Sequence, residues 1–118
     1  MKYILLIYAG EQAINESERE QCYKDSTKLC HDLASRGEFI DARPLQPVAT
    51  ATSIRVREGK RMVTDGPFAE TREQLGGFFM IDVKDLDAAM NVASKIPGAK
   101  YGTVEIRPVV EIPNMPNG

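Results

Sequence analysis

The residues best suited to chemistry stand in one short run, Thr64-Asp65-Gly66-Pro67-Phe68-Ala69-Glu70-Thr71. Asp65 and Glu70 are carboxylates close in sequence. With different exposure they could divide acid and base work, or grip a cationic or metal-bound ligand. Phe68, between them, would wall a pocket mouth. The same residues also make a turn that needs no function. Asp65 can accept backbone N–H bonds, Gly66 supplies a conformation other residues resist, and Pro67 fixes its own φ while extending the residue before it. In that reading Phe68 plugs the edge of the core.

Ser26 is the second candidate. On a helical wheel it falls inside an apolar sector, between Cys22 and Leu29/Leu33. Either its hydroxyl bonds back to the carbonyl of residue 22, as mid-helix serines do, or the helix faces a small polar cavity there. No base accompanies it as a nucleophile. His31 points to the opposite, solvated side, away from any substrate that a general base must reach. Arg43, near the end of a strand, could contact an anionic group. Arg55, Arg57, Lys60 and Arg61 surround a hairpin turn and solubilise it. One histidine, two cysteines and scattered acids give no zinc-ligand spacing, so neither metal nor cofactor is expected. Gly76-Gly77 precedes a strand rather than opening a helix and fails the structural test for a phosphate loop; it suits close backbone packing or a bulge.

The elements that must position these groups follow from periodicity. Residues 2–8 and 77–83 read as strands apolar on both faces, so each face needs a cover. Between them, Asn15 with Glu18, or Ser17 with Glu20, can cap a helix that runs to Arg36 and stops at Gly37. Its buried sector holds Cys22, Tyr23, Leu29, Cys30 and Leu33. Cys22 and Cys30 lie about 12 Å apart along it, beyond disulfide reach, and read as reduced core thiols. EFIDARPLQP is a short strand bent or ended by Pro44 and Pro47, and ATSIRVR and KRMVT flank a Glu58-Gly59 hairpin turn. Asp85 caps a second helix with a buried stripe of Leu86, Ala89, Met90, Ala93 and Ile96, ended by Pro97-Gly98. YGTVEIRPV is the last strand. The expected organisation is one domain over residues 1–110 and a Pro/Asn-rich tail over 111–118.

The 118 residues allow one core. With 42% hydrophobic and 27% charged residues and a net charge of -2, the chain offers no basic field for nucleic acid. No run approaches the ~20 apolar residues of a membrane span. A cytoplasmic protein is expected. Strand, helix, strand, hairpin, strand, helix, strand is an α+β order: a ferredoxin-like βαββαβ sandwich with an inserted hairpin. Two helices cover one sheet face, and a second copy would cover the other, so a homodimer through the open sheet face is expected.

MKYILLIYAG, TDGPFAET with EQLGGFF, and the ending IPGAKYG-VE-RP together resemble the YCII-related proteins of the DGPF type, over nearly the whole chain. The resemblance implies a bacterial ferredoxin-like domain pairing as a dimeric α/β barrel, sometimes encoded beside or fused to alternative sigma factors. It also implies a site at a first-helix histidine and a nearby aspartate, with a chloroaromatic-processing enzyme among the relatives. Counting back from Gly37, Ser26 stands at the place of that histidine, and Asp41 is the candidate counterpart of the aspartate. Two functions are therefore expected in competition. One is a small-molecule pocket with acid–base chemistry by Asp65 and Glu70 and ligand contacts from Ser26, Arg43 and Phe68. The other is a non-catalytic dimeric sensor or interaction module linked to transcriptional regulation.

Overall fold

The structure, a computed structural model, describes residues 1–69 and 71–116. Along the chain run β1 (Lys2–Ala9), α1 (Glu16–Ser35), β2 (Phe39–Pro44), a 3-10 turn (Val48–Thr50), β3 (Thr52–Arg57), β4 (Lys60–Asp65), β5 (Gln74–Asp82), α2 (Leu86–Lys95), α3 (Gly98–Tyr101) and β6 (Thr103–Pro108). The four longer-range strands form an antiparallel sheet in the order β2-β5-β1-β6.

Both long helices begin where side chains can satisfy their free N–H groups. Asn15 Oδ1 accepts from Glu18 N at 2.8 Å while Glu18 Oε1 accepts from Asn15 N at 2.9 Å, a complete capping box. Asp85 Oδ1 accepts from Ala88 N at 2.9 Å. α1 ends before Gly37, whose φ of 72° closes it.

The core lies between the helices and one face of the sheet. Leu5, Leu33 and Ile81 are fully buried there, joined by Tyr3, Leu29, Phe79, Val83, Ala89, Val92, Ala93 and Ile96. Each fully buried aliphatic side chain contributes about 1.5–3 kcal/mol. α2 is rotated relative to the expected stripe. Ala89, Val92, Ala93 and Ile96 face inward, whereas Leu86 and Met90 lie on the exposed flank. Alanines let this helix approach closely, so the sheet selects the small face.

The dimeric α/β barrel expected from the resemblance is corrected by the topology. The chain forms two open sheets, a four-stranded one and the separate β3-β4 pair, and neither closes into a barrel. Two-sided apolar strands call for a cover on each face. Instead, the face away from the helices stays half-buried, with Ile4, Leu6, Tyr8, Phe78 and Met80 shielding one another across β1 and β5. Register places two rows across this face: Asp41–Met80–Ile4–Arg107 and Arg43–Phe78–Leu6–Glu105.

The β3-β4 hairpin turns at Glu58 and Gly59, both at positive φ (52° and 75°), as a two-residue turn matched to strand twist requires. It leaves Ile54, Val56, Met62 and Val63 exposed. The molecule measures 46 × 43 × 20 Å, with a radius of gyration of 16.0 Å against about 13.5 Å for a compact chain of this length.

Close backbone approach makes Gly102 obligatory. A Cβ on Gly102 would sit 2.0 Å from the Tyr8 carbonyl oxygen and 2.9 Å from Ala9 Cα, whereas one on Gly76 would meet only the Ile7 oxygen at 3.9 Å. Gly102→Ala should therefore lose about 2 kcal/mol or more of stability, and Gly76→Ala less than about 1 kcal/mol, in chemical denaturation. Equal midpoints for the two variants would refute this packing.

Candidate functional site

α1 touches the sheet over only part of its length. Leu29 and Leu33 are buried, but Cys22, Ser26 and Cys30 are only half-buried and Tyr23 is exposed. The N-terminal half of the helix thus stands off the sheet, and the gap is a cleft of about 1040 Å³. Its floor is apolar, with Ile7, Ala42, Phe79 and Ile96, and the α1 stripe of Arg19, Cys22, Ser26 and Cys30 forms one wall. Those four positions fall within about 80° of the helical wheel.

The opposite wall is where β2 leaves the sheet. Pro44 and Pro47 cannot donate ladder bonds, so β2 ends, and the chain turns away after Leu45 N donates to Gly76 O at 2.8 Å. Gly77 allows this crossing, because a Cβ there would lie 2.8 Å from the Arg43 carbonyl oxygen. A register shift between Ile7 and Tyr8 adds a bulge beside it. Glu11, in the β1–α1 loop, accepts from Val48 N at 2.8 Å and ties that loop to the 3-10 turn.

Ser26 lines this cleft. The back-bond typical of a mid-helix hydroxyl is made by its neighbour to a different carbonyl, with Thr27 Oγ1 donating to Tyr23 O at 2.7 Å. Arg43 lines the rim, its guanidinium turned to Asp41 Oδ1 at 3.3 Å and to the Ala42 carbonyl at 3.0 Å. Asp65 and Phe68 are not brought to the cleft. Asp65 ends β4 on the exposed hairpin. Phe68 is 73% exposed, with the Arg55 guanidinium 4.7 Å above its ring, so it does not close the core edge either. Gly66, at φ 106°, closes the hairpin base: its N–H donates to Ala51 O at 2.8 Å and its carbonyl accepts from Ser53 Oγ at 2.7 Å. Glu70 lies outside the described residues. His31 is exposed on the outer side of α1. Among the described residues no three His, Cys, Asp or Glu side chains gather as metal ligands.

Two cleft residues escaped the sequence reading. Arg19 shares the wheel sector of Cys22 and Ser26 at i, i+3 and i+7, a signal that was available. Tyr101 carried no periodic signal, because it sits on the short α3. Its hydroxyl donates to Glu18 Oε2 at 3.4 Å, and it also borders a second groove of about 1030 Å³ between α1 and α2. Partial burial, then the Glu18 carboxylate, pushes the Tyr101 hydroxyl above its ordinary pKa. Burial first, then Asp25, does the same to the Cys22 thiol, and burial raises Cys30. Both cysteines are free and half-buried in the cleft wall; Cys30 also packs against the core, as expected, whereas Cys22 does not.

The chain matches the YCII-related domain over residues 1–113. It is 34% identical over 114 residues to an uncharacterised protein of Rhizobium meliloti (strain 1021), covering 92% of each chain. The fold resembles that of 5-chloro-2-hydroxyhydroquinone dehydrochlorinase (TftG) from Burkholderia phenoliruptrix AC1100, solved with 2,5-dihydroxybenzoquinone. That likeness has a TM-score of 0.56 at 10% identity and covers 93% of this chain and 94% of the enzyme.

The raised thiol and phenol values have a defined pH consequence. From the ordinary thiol pKa of 9.0 upward, the folded chain holds protons that the unfolded chain has released. Stability must therefore fall as pH rises through that region. The denaturation midpoint is expected to decline above pH 9 in the native chain and to decline less in Cys22→Ala/Cys30→Ala. Below it, both thiols should alkylate more slowly than free cysteine; equal rates would contradict their burial.

Proposed function

This chain belongs to the YCII-related domain family, and we propose that it binds a small organic molecule in the α1–β2 cleft and acts on it by acid–base chemistry. The observation that carries this reading is the cleft itself, apolar at its floor and edged by Ser26, Arg19, Gln74 and Tyr101. Its volume falls in the range of small-molecule sites. The likeness in fold to an enzyme of a chlorinated hydroxyhydroquinone supports a small organic substrate. Ser26 is the polar contact on the helix wall and Arg43 the contact at the rim. The acid–base roles of Asp65 and Glu70, with Phe68 as a wall, require the hairpin run to reach a cleft. The Thr64–Phe68 sequence supports the DGPF type within the family.

Filling the cleft at Ser26 tests the reading directly. Ser26→Leu should keep or raise the denaturation midpoint while weakening binding of 2,5-dihydroxybenzoquinone at least tenfold by calorimetric titration. Unchanged affinity in a folded Ser26→Leu chain would place the ligand elsewhere. Asp65 ends β4 on the exposed hairpin, outside the cleft lining, so Asp65→Asn should leave affinity for the quinone unchanged; a loss of about tenfold or more would bring the hairpin run to the ligand.

The open sheet face favours a second reading, a homodimer through that face acting as an interaction module. Its two cross-sheet rows end in opposite charges of alternating sign, Asp41 with Arg107 and Arg43 with Glu105. Turned over on a second copy about a two-fold axis along the strands, Asp41 meets Arg107 and Arg43 meets Glu105, in exchange for the exposed Asp41–Arg43 contact within each chain. An axis across the strands matches unlike charges equally well. Such a face is self-complementary, as an isologous contact requires. By light scattering the native chain should have twice the mass of Leu6→Asp; equal masses would exclude this face.

A further inference from the structure

We propose that Arg19 is the anion anchor of the cleft, and that its ligand is a small planar ring bearing an ionised oxygen. This rests on the small-molecule reading above and names its substrate class. Four charged side chains line the cleft: Glu11, Glu16, Arg19 and Arg43. Glu11 is committed to the Val48 N–H, and Arg43 is neutralised by Asp41. Glu16 is exposed at the mouth. The nearby Glu18 is held by the helix cap and by Tyr101. Arg19 is half-buried, yet no carboxylate pairs with it among the described residues.

A partly desolvated guanidinium without a partner is costly. Its position adds to that cost, since it is the fourth residue of α1, near the end where the helix dipole disfavours cations. The first turn is otherwise acidic, with Glu16 and Glu18. Among the described residues Arg19 forms no surface ion pair, and it shares the cleft wall with Cys22 and Ser26. An anion in the cleft would supply the missing partner, and the planar fork of arginine suits an ionised oxygen. The Ser26 hydroxyl lies two turns along the same stripe, and Tyr101 lines the same cavity. Phe79, Ile7 and Ala42 offer the apolar floor on which a ring would lie.

The matched probes 4-hydroxybenzoate and 4-hydroxybenzamide differ in charge at nearly constant shape. In calorimetric titration of the full chain at low salt, the acid should bind about tenfold or more tightly than the amide. Arg19→Gln should abolish that preference while leaving amide affinity unchanged. Arg19→Lys should keep part of it, and Arg57→Gln, at the hairpin turn, should keep all of it. Equal binding of acid and amide by the native chain, or a preference that survives Arg19→Gln, would overturn the anion site and leave the cleft reading standing. Binding of neither ring would remove the cleft reading, and the anchor with it.

Discussion

The contact of Leu29 and Leu33 with Leu5, Phe79 and Ile81 fixes only the C-terminal half of α1 against the sheet. A helix is stiff along its axis, so the position of its N-terminal half follows from that anchor. Between that half and the sheet the side chains are too small to fill the gap: Cys22 and Ser26 above, Ala42 and Gly76 below. A leucine at either helix position would contribute about 1.5–3 kcal/mol by burial. The chain forgoes that stability, and the cleft exists because it does.

Hydrogen bonds at the mouth keep the opening defined. The Asn15–Glu18 capping box fixes where α1 begins, and the Glu11–Val48 bond fixes the loop before it to the segment after β2. Glu18 serves twice, because its second oxygen accepts from Tyr101. Tyr101 is in turn set by α3, which packs on β1 between two glycines of close approach, Gly98 and Gly102. Cap, loop and short helix thus determine one polar rim.

Local rules written into single segments were legible before the structure was seen. The Asn15 and Asp85 caps, the stop at Gly37 and the Glu58-Gly59 turn each depend on residues a few positions apart, and each formed at its expected place. The inward face of α2 was legible in Ala89, Ala93 and Ile96, but Leu86 and Met90 outrank Val92 in size, and the sheet's demand for close approach turned Val92 inward in their place. The barrel was implied by the family resemblance alone; the two apolar strand faces say only that both faces avoid water, and mutual shielding across β1 and β5 meets part of that need. Ser26 could be singled out by its wheel position. Arg19 shares the sector, but wheel position alone does not separate a charge that lines a cleft from one that faces solvent.

The most distinctive motif in the sequence belongs structurally to the hairpin base, where Gly66 at positive φ joins Ala51 and Ser53. Hairpin and cleft are nevertheless not independent. The chain enters the hairpin through Pro44–Pro47 and returns from it through Gln74–Gly76, and both segments line the cleft. They are also bonded to each other, Leu45 N to Gly76 O, at the point where β2 and β5 part. A rotation of the hairpin about its roots must therefore act on this crossing, which Gly77 holds at contact distance from Arg43. The shape of the cleft rim and the direction of the hairpin are two expressions of one backbone crossing. A run that secures the hairpin base can thus bear on the cleft without any of its side chains entering it.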